Sequence, residues 1–204
     1  MSDRRPPPAG LRLEPTGLPG LTLVRPDPRA DDRGLFARTW CSQAFAAAGL
    51  PSAFAQTNLS RNRRAGTLRG LHFARPPTPE GKLVSCAHGA IFDVVVDLRR
   101  HSPTFRRVFT LEISAENLLA LYIPPGFAHG FLTVRHDTDV HYQMTCAYQP
   151  GAAAGLRWDD PGLAIPWPRS TPAVISPADA ALPAWDDALH ALDLDHAAPR
   201  PDPA

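Results

Sequence analysis

The sequence is short of several things. There are only three cysteines, Cys41, Cys86 and Cys146, odd in number and widely spaced, so neither a disulfide framework nor a CxxC metal site is expected. A surplus of one charge sign is missing too: 21 basic and 20 acidic residues among 204 give a net charge of +1. A nucleic-acid binder or a protein held on anionic lipid would show a basic excess, so no nucleic acid and no membrane is the expectation for partners. No apolar run approaches the roughly 20 residues that span a bilayer. Met1–Gly10 carries two arginines and then prolines without an apolar stretch, so no secretory leader is expected, and a reducing cytoplasm is the simplest home. No Gly-x-Ser-x-Gly, phosphate-loop or dinucleotide glycine pattern occurs, nor the βαβ alternation those patterns need. Cys86 and His88 share a strand parity, which reads as incidental packing rather than a nucleophile and its base.

Proline, by contrast, is abundant: 24 of 204, more than twice the usual share of ~5%. It is excluded from helix interiors and central strands, so its clusters mark loops between short elements. Residues 1–20 read as a loose proline-rich arm, 21–185 as one domain, and 186–204 as a tail. Strands are expected at Leu21–Val24, Leu35–Trp40, Phe54–Ser60 and Ile91–Leu98, with a polar turn over Arg61–Gly66. Further strands are expected around Phe109–Ile113, Ala120–Ile123, Phe127–Val134 and from Val140 towards Tyr148. Within Ile91–Leu98 the set Phe92, Val94, Val96 and Leu98 lines one face, while Asp93 and Asp97 stand on the other as solvated or hydrogen-bonded residues. Ser42–Leu50 is the best helix, with Ser42 as its cap, and a second is expected within Asp179–His190. Short strands at near-regular spacing argue for an all-β sandwich or barrel with a few short peripheral helices.

Small barrels fill with apolar side chains, so polar residues on core-like strands are informative. Gln56 and Asn58, Arg69 and His72, His129, and Tyr142 with Tyr148 are such interruptions. Any one histidine alone reads as a satisfied core residue; several together point to a polar cavity. A metal in such a barrel usually takes a His-x-His pair, which is absent, and Pro76–Pro79 separates His72 from Glu80, so no metal is expected. Acid–base chemistry remains. His72 can serve as base, Tyr142 or Tyr148 as acid and Lys82 as the cation for an oxyanion, with Asp179, Asp93 or Asp97 orienting the base. Spacing alone does not choose among them. Trp158, Trp167 and Trp185 read as packing, and His88, His101, His136, His141, His190 and His196 as surface.

The ordered motifs narrow this. Asp32-Arg33-Gly34 with Phe36, Gln56-x-Asn58-x-Ser60, Leu68-Arg69-Gly70-Leu71-His72 and Gly81-Lys82-Leu83-Val84 come first. Phe92–Arg99, Ser102-Pro103-Thr104-Phe105, Ser114–Asn117, Ile123–Phe131, Tyr142 and Tyr148 follow, and then Trp158–Pro161, Ile165–Pro168 and Ser176–Asp179. Over about residues 21–185 the chain resembles the dTDP-4-dehydrorhamnose 3,5-epimerase family. The resemblance implies a cupin-type jelly roll, a homodimer with strand exchange, no metal and no cofactor. It also implies epimerisation beside the 4-keto group of a nucleotide-diphosphate 6-deoxyhexose. Carried over by motif, His72 is the base, Asp179 its partner, Lys82 the enolate's cation and Tyr142 the acid, with Tyr148 lining the pocket. Arg33, Gln56, Asn58, Arg69 and His129 hold sugar, diphosphate or nucleotide. The chain departs from the pattern at Arg38 (glutamate expected), Ala178 and Gln143 (lysine), and Thr57 and Leu59 (aspartate and histidine). The proton-transfer set is intact, and the departures are expected among the residues that hold nucleotide and phosphate.

Overall fold

The computed structural model describes residues 10–78 and 80–194. Strands β1 (Leu11–Pro15) and β2 (Thr22–Pro26) lead into a hairpin, β3 (Arg29–Asp31) and β4 (Gly34–Phe36), and helix α1 (Ser42–Ala47). Next come β5 (Gln56–Asn62), β6 (Thr67–Ala74), β7 (Lys82–His88), β8 (Ala90–Asp97), β9 (Val108–Ser114) and β10 (Ala120–Ile123). They are followed by β11 (Phe127–Thr133), β12 (Thr138–Met144), β13 (Ala153–Gly155), β14 (Val174–Ile175) and the one-turn helices α2 (Pro177–Ala180) and α3 (Asp187–His190). One sheet has the order β1-β2-β10-β7-β12-β5; the other runs β13-β6-β11-β8-β9, with β14 alongside β6. Neighbours on these two paths pair antiparallel, as a jelly roll requires.

Three apolar layers hold the sheets. Val84, Cys86, Ile91, Val95, Leu121, Phe131 and Val140 pack between them. Leu71, Phe73, Val94, Val96 and Leu98 face outward from the second sheet and are covered by Leu156, Leu163 and Leu192 of the C-terminal segment. Leu83, Ala120 and Tyr122 face outward from the first sheet under Leu11, Phe45 and Leu50. Because both faces are covered, β8 is buried nearly throughout, and Asp93 and Asp97 lie in the interior at 1% and 0% exposure, so of the two readings offered for them the hydrogen-bonded one holds and the solvated one does not.

Tertiary cover explains the other differences from the sequence reading. The expected loose arm contains β1, whose Leu11 is buried; residues 1–9 lie outside the described ones. Its short Leu-Arg-Leu alternation gains strand form only by pairing with β2. The expected tail likewise packs from its start: Leu192 is buried and bridges Arg99, while residues 195–204, with His196, lie outside the described ones. His190 is wholly buried rather than on the surface, donating from Nε2 to Gly155 O (3.2 Å) and accepting Asp186 N–H at Nδ1 (3.0 Å). The helix expected over 179–190 is two separate turns, since Pro183 cannot continue a helix. The first helix spans only 42–47, and its N-cap is Cys41 without a side-chain bond, not Ser42. The strand expected at 35–40 stops at Phe36, β5 runs on to Asn62 within the expected turn, and β12 stops at Met144 before Cys146 and Tyr148.

Candidate active site

Strand period places most of the site. Tyr142 and Met144 on β12 stand opposite Val84 and Lys82 on β7, and opposite Asn58 and Gln56 on β5. Val84 belongs to the core between the sheets, so the whole row faces inward. On the second sheet His129 and Phe131 of β11 stand opposite Val95 and Asp93 of β8, and opposite His72 and Arg69 of β6. Val95 and Phe131 belong to the same core, so this row faces inward as well.

Arg69 and His72 are three residues apart, and a regular strand would turn them to opposite faces. The β6–β11 ladder shifts register between His129 and Phe131, where β6 holds one extra residue. That bulge brings both side chains inside. It is built at Gly70 (φ +116°), packed against Gly130: a Cβ on Gly70 would lie 2.7 Å from Gly130 Cα.

His72 Nε2 lies 2.7 Å from Asp179 Oδ1. A carboxylate oxygen accepts, so Nε2 is the donor of this bond, and in the neutral imidazole Nδ1 is then the nitrogen with the lone pair. Asp179 is fixed in turn. Its other oxygen accepts Gly70 N–H (3.3 Å), and its own N–H donates to Ser176 Oγ (3.0 Å), the cap of α2. The parallel pairing of β14 with the start of β6 sets that turn beside the histidine.

A second pair, His129 Nε2 and Asp93 Oδ1, is 2.7 Å apart and almost fully buried. Asp93 Oδ2 has no hydrogen-bond partner among the described residues. The Tyr142 ring crosses His129 edge-on, with centroids 6.1 Å apart. Burial raises the Tyr142 pKa well above the usual phenol range; the Asp93 charge adds to the rise and Arg69 opposes it. Lys82, 7% exposed, pairs with Glu80 at 3.1 Å. Among the described residues no three His, Cys, Asp or Glu side chains are grouped to hold a metal.

Strand register thus turns Tyr142, Lys82, Gln56 and Asn58 of one sheet and Arg69, His72 and His129 of the other to the inner faces, with Asp179 bound to His72; Asn58, Arg69 and His72 remain open to solvent. Tyr148 is exposed at the rim, where its backbone N–H donates to Gln56 Oε1 (3.0 Å). Arg33 is not brought in: it sits in the β3–β4 hairpin, 90% exposed, with Asp31 as its only ion-pair partner among the described residues. Thr57, Leu59 and Gln143 have the parity opposite to Gln56, Asn58 and Tyr142, so these departures from the family pattern face away from the cavity rather than lining it. Cys86 is 6% exposed and its Sγ donates to His88 O, and burial pushes its thiol up to about 11, none of which favours a nucleophilic thiolate. Asp93, weighed in the sequence as a group that could orient the base, pairs with His129 and not with His72. Its shared parity with buried Ile91 and Val95 signals such a pairing, since a charge on a buried face needs a partner.

Polar, ionisable side chains gathered on the inner faces of a two-sheet jelly roll define a small-molecule cupin. A model of the dTDP-4-dehydrorhamnose 3,5-epimerase family matches residues 15–187, and the chain belongs to that family. It is 42% identical over 161 residues to the dTDP-4-dehydrorhamnose 3,5-epimerase of Sinorhizobium fredii, covering 79% of this chain and 83% of that one. It is 39% identical to the dTDP-4-dehydrorhamnose 3-epimerase of Streptomyces niveus, covering 83% and 81%. The crystal structure of the Bacillus anthracis 3,5-epimerase with TDP and PPi bound superposes with a TM-score of 0.82 at 38% identity, covering 86% and 99%. The protein is an isomerase, a carbohydrate epimerase.

Proposed function

We propose that the protein epimerises a dTDP-linked 4-keto-6-deoxyhexose at the carbons flanking its ketone, in deoxysugar biosynthesis. The observation that carries this reading is the carboxylate-held His72 paired across its sheet with His129, whose ring the Tyr142 ring of the facing sheet meets edge-on. His72 Nδ1 takes the α-proton, and the C–H electron pair becomes the enolate, with its charge on the keto oxygen. The Lys82 ammonium stabilises that oxygen in a partly dry pocket. Tyr142, still protonated at neutral pH, returns a proton to the opposite face and inverts the centre. His72 then releases its proton to solvent and Tyr142 regains one, so nothing is consumed. Gln56, Asn58, Arg69, His129 and Tyr148 hold the sugar and diphosphate.

The working unit is a homodimer. The β3–β4 hairpin pairs with no other strand among the described residues, and it exposes Leu35 and Phe36 at 57% and 79%. In a strand-exchanged dimer the hairpin carries Arg33 to the mouth of the other copy. Among the described residues no helix is long and apolar enough to cross a membrane. The three free cysteines fit a reducing cytoplasm.

Incubation with a dTDP-4-keto-6-deoxyhexose in deuterated water will place deuterium at C3, C5 or both. Label at both positions is expected for the 3,5-epimerase. Label at C3 alone supports the second reading, a 3-epimerase, which the Streptomyces niveus relative favours. His72→Ala and Tyr142→Phe will each slow the reaction by about 10²–10⁴. No exchange with any of the dTDP, CDP, GDP and UDP 4-keto sugars would defeat the assignment. Unchanged exchange in His72→Ala would remove the histidine from it.

A further inference from the structure

Asn62 ends β5, on the same strand face as Gln56 and Asn58, and is 2% exposed, yet no assigned step uses it. Its Nδ2 donates to two backbone carbonyls, Ser60 O and Thr138 O, both at 3.1 Å. Carbonyls only accept, so the amide is locked with Oδ1 pointing away from them. That oxygen accepts Arg69 Nε at 2.9 Å across the gap between the sheets. Arg69 has no further hydrogen-bond partner among the described residues, and its side chain is otherwise exposed. A guanidinium tied at Nε keeps both terminal nitrogens for one planar, bidentate contact.

We propose that Asn62 is a positioning residue that holds Arg69 in the orientation needed to grip the diphosphate of the nucleotide sugar. This rests on the assignment of Arg69 to the diphosphate. The anchor is rigid because it is fixed to the backbone of two neighbouring strands, β5 and β12, paired at Asn62 and Thr138. It therefore removes a long side chain's rotational freedom before substrate arrives, which is freedom that binding would otherwise have to restrict.

The test is a double-mutant cycle on dTDP binding, followed by calorimetry, with wild type, Asn62→Ala, Arg69→Ala and the double variant. Arg69→Ala is expected to weaken dTDP about ten- to hundredfold. Asn62→Ala is expected to weaken it about tenfold, with no further loss when Arg69 is already alanine. In turnover, Asn62→Ala should raise KM and leave kcat near wild type. An equal loss from Asn62→Ala in both backgrounds would show a merely structural residue and overturn the inference. So would an unchanged Kd in Asn62→Ala when Arg69→Ala binds weakly. No loss in Arg69→Ala itself would instead overturn the diphosphate assignment, and the inference with it. Should Asn62→Ala fail to fold, Asn62→Ser, which keeps a small polar group there, runs the same cycle.

Discussion

Asp97 is wholly buried and still ionised, because Arg99, Ser102 and Thr104 all donate to its carboxylate at 2.6–2.8 Å. Burial pushes its pKa up, but the hydrogen bonds from Arg99, Ser102 and Thr104 outweigh that and hold it below the usual range. A depressed pKa stabilises the fold above the unfolded-state value of ~3.9, and that contribution is lost as pH falls through the folded value. Asp97→Asn leaves the Arg99 charge buried without its partner and should cost about 3–5 kcal/mol in urea unfolding. The stability difference from wild type should shrink as pH drops below about 4. Asp93 makes the contrast on the same strand: one oxygen holds His129 and the other has no partner among the described residues. Both aspartates were legible as strand residues of one parity. Which one is structural and which faces the cavity was not, because that depends on partners 36 residues away for Asp93 and within 7 for Asp97.

Among the elements, β6 departs most from a regular strand, and its departure makes the site. The bulge depends on two glycines meeting. A Cβ on Gly130 would lie 2.6 Å from Leu71 Cδ2 and 2.7 Å from Arg69 O. Gly130→Ala should therefore destabilise by about 1–3 kcal/mol and lower activity more than that loss explains, as thermal unfolding and initial rates will show. If activity is kept, the alignment of Arg69 and His72 does not depend on this contact. Period 2 puts Gln56 on one face with Asn58, and Tyr142 on one face with Val140 and Met144, as the ladders of β5, β12 and β7 show. It could not put Arg69 and His72 on one face, since their odd spacing argues against it. Only the order of motifs joined them, and the bulge supplies the physical reason.

For the whole molecule, the described parts of the terminal segments that the sequence reading set aside contribute to the outer layers of the barrel. Low periodicity hid them, because each adds only a few apolar side chains to a surface made elsewhere, as Leu11 and Leu192 do. The barrel itself was legible because its strands alternate and its turns are punctuated by proline and glycine. Light scattering on the purified protein should give twice 22.1 kDa. Phe36→Asp on the hairpin should weaken the dimer and the activity together. A monomer of full activity would break the link between assembly and the Arg33 contribution.

The carboxylate that holds the base lies 107 residues beyond it along the chain. Translation runs from the N-terminus, so both large sheets have been synthesised while His72 still lacks Asp179. A product released early, short of α2, would carry the barrel and the imidazole without the group that fixes its tautomer. On the proposed mechanism, a chain stopped before Asp179 would hold its imidazole loosely and turn over slowly.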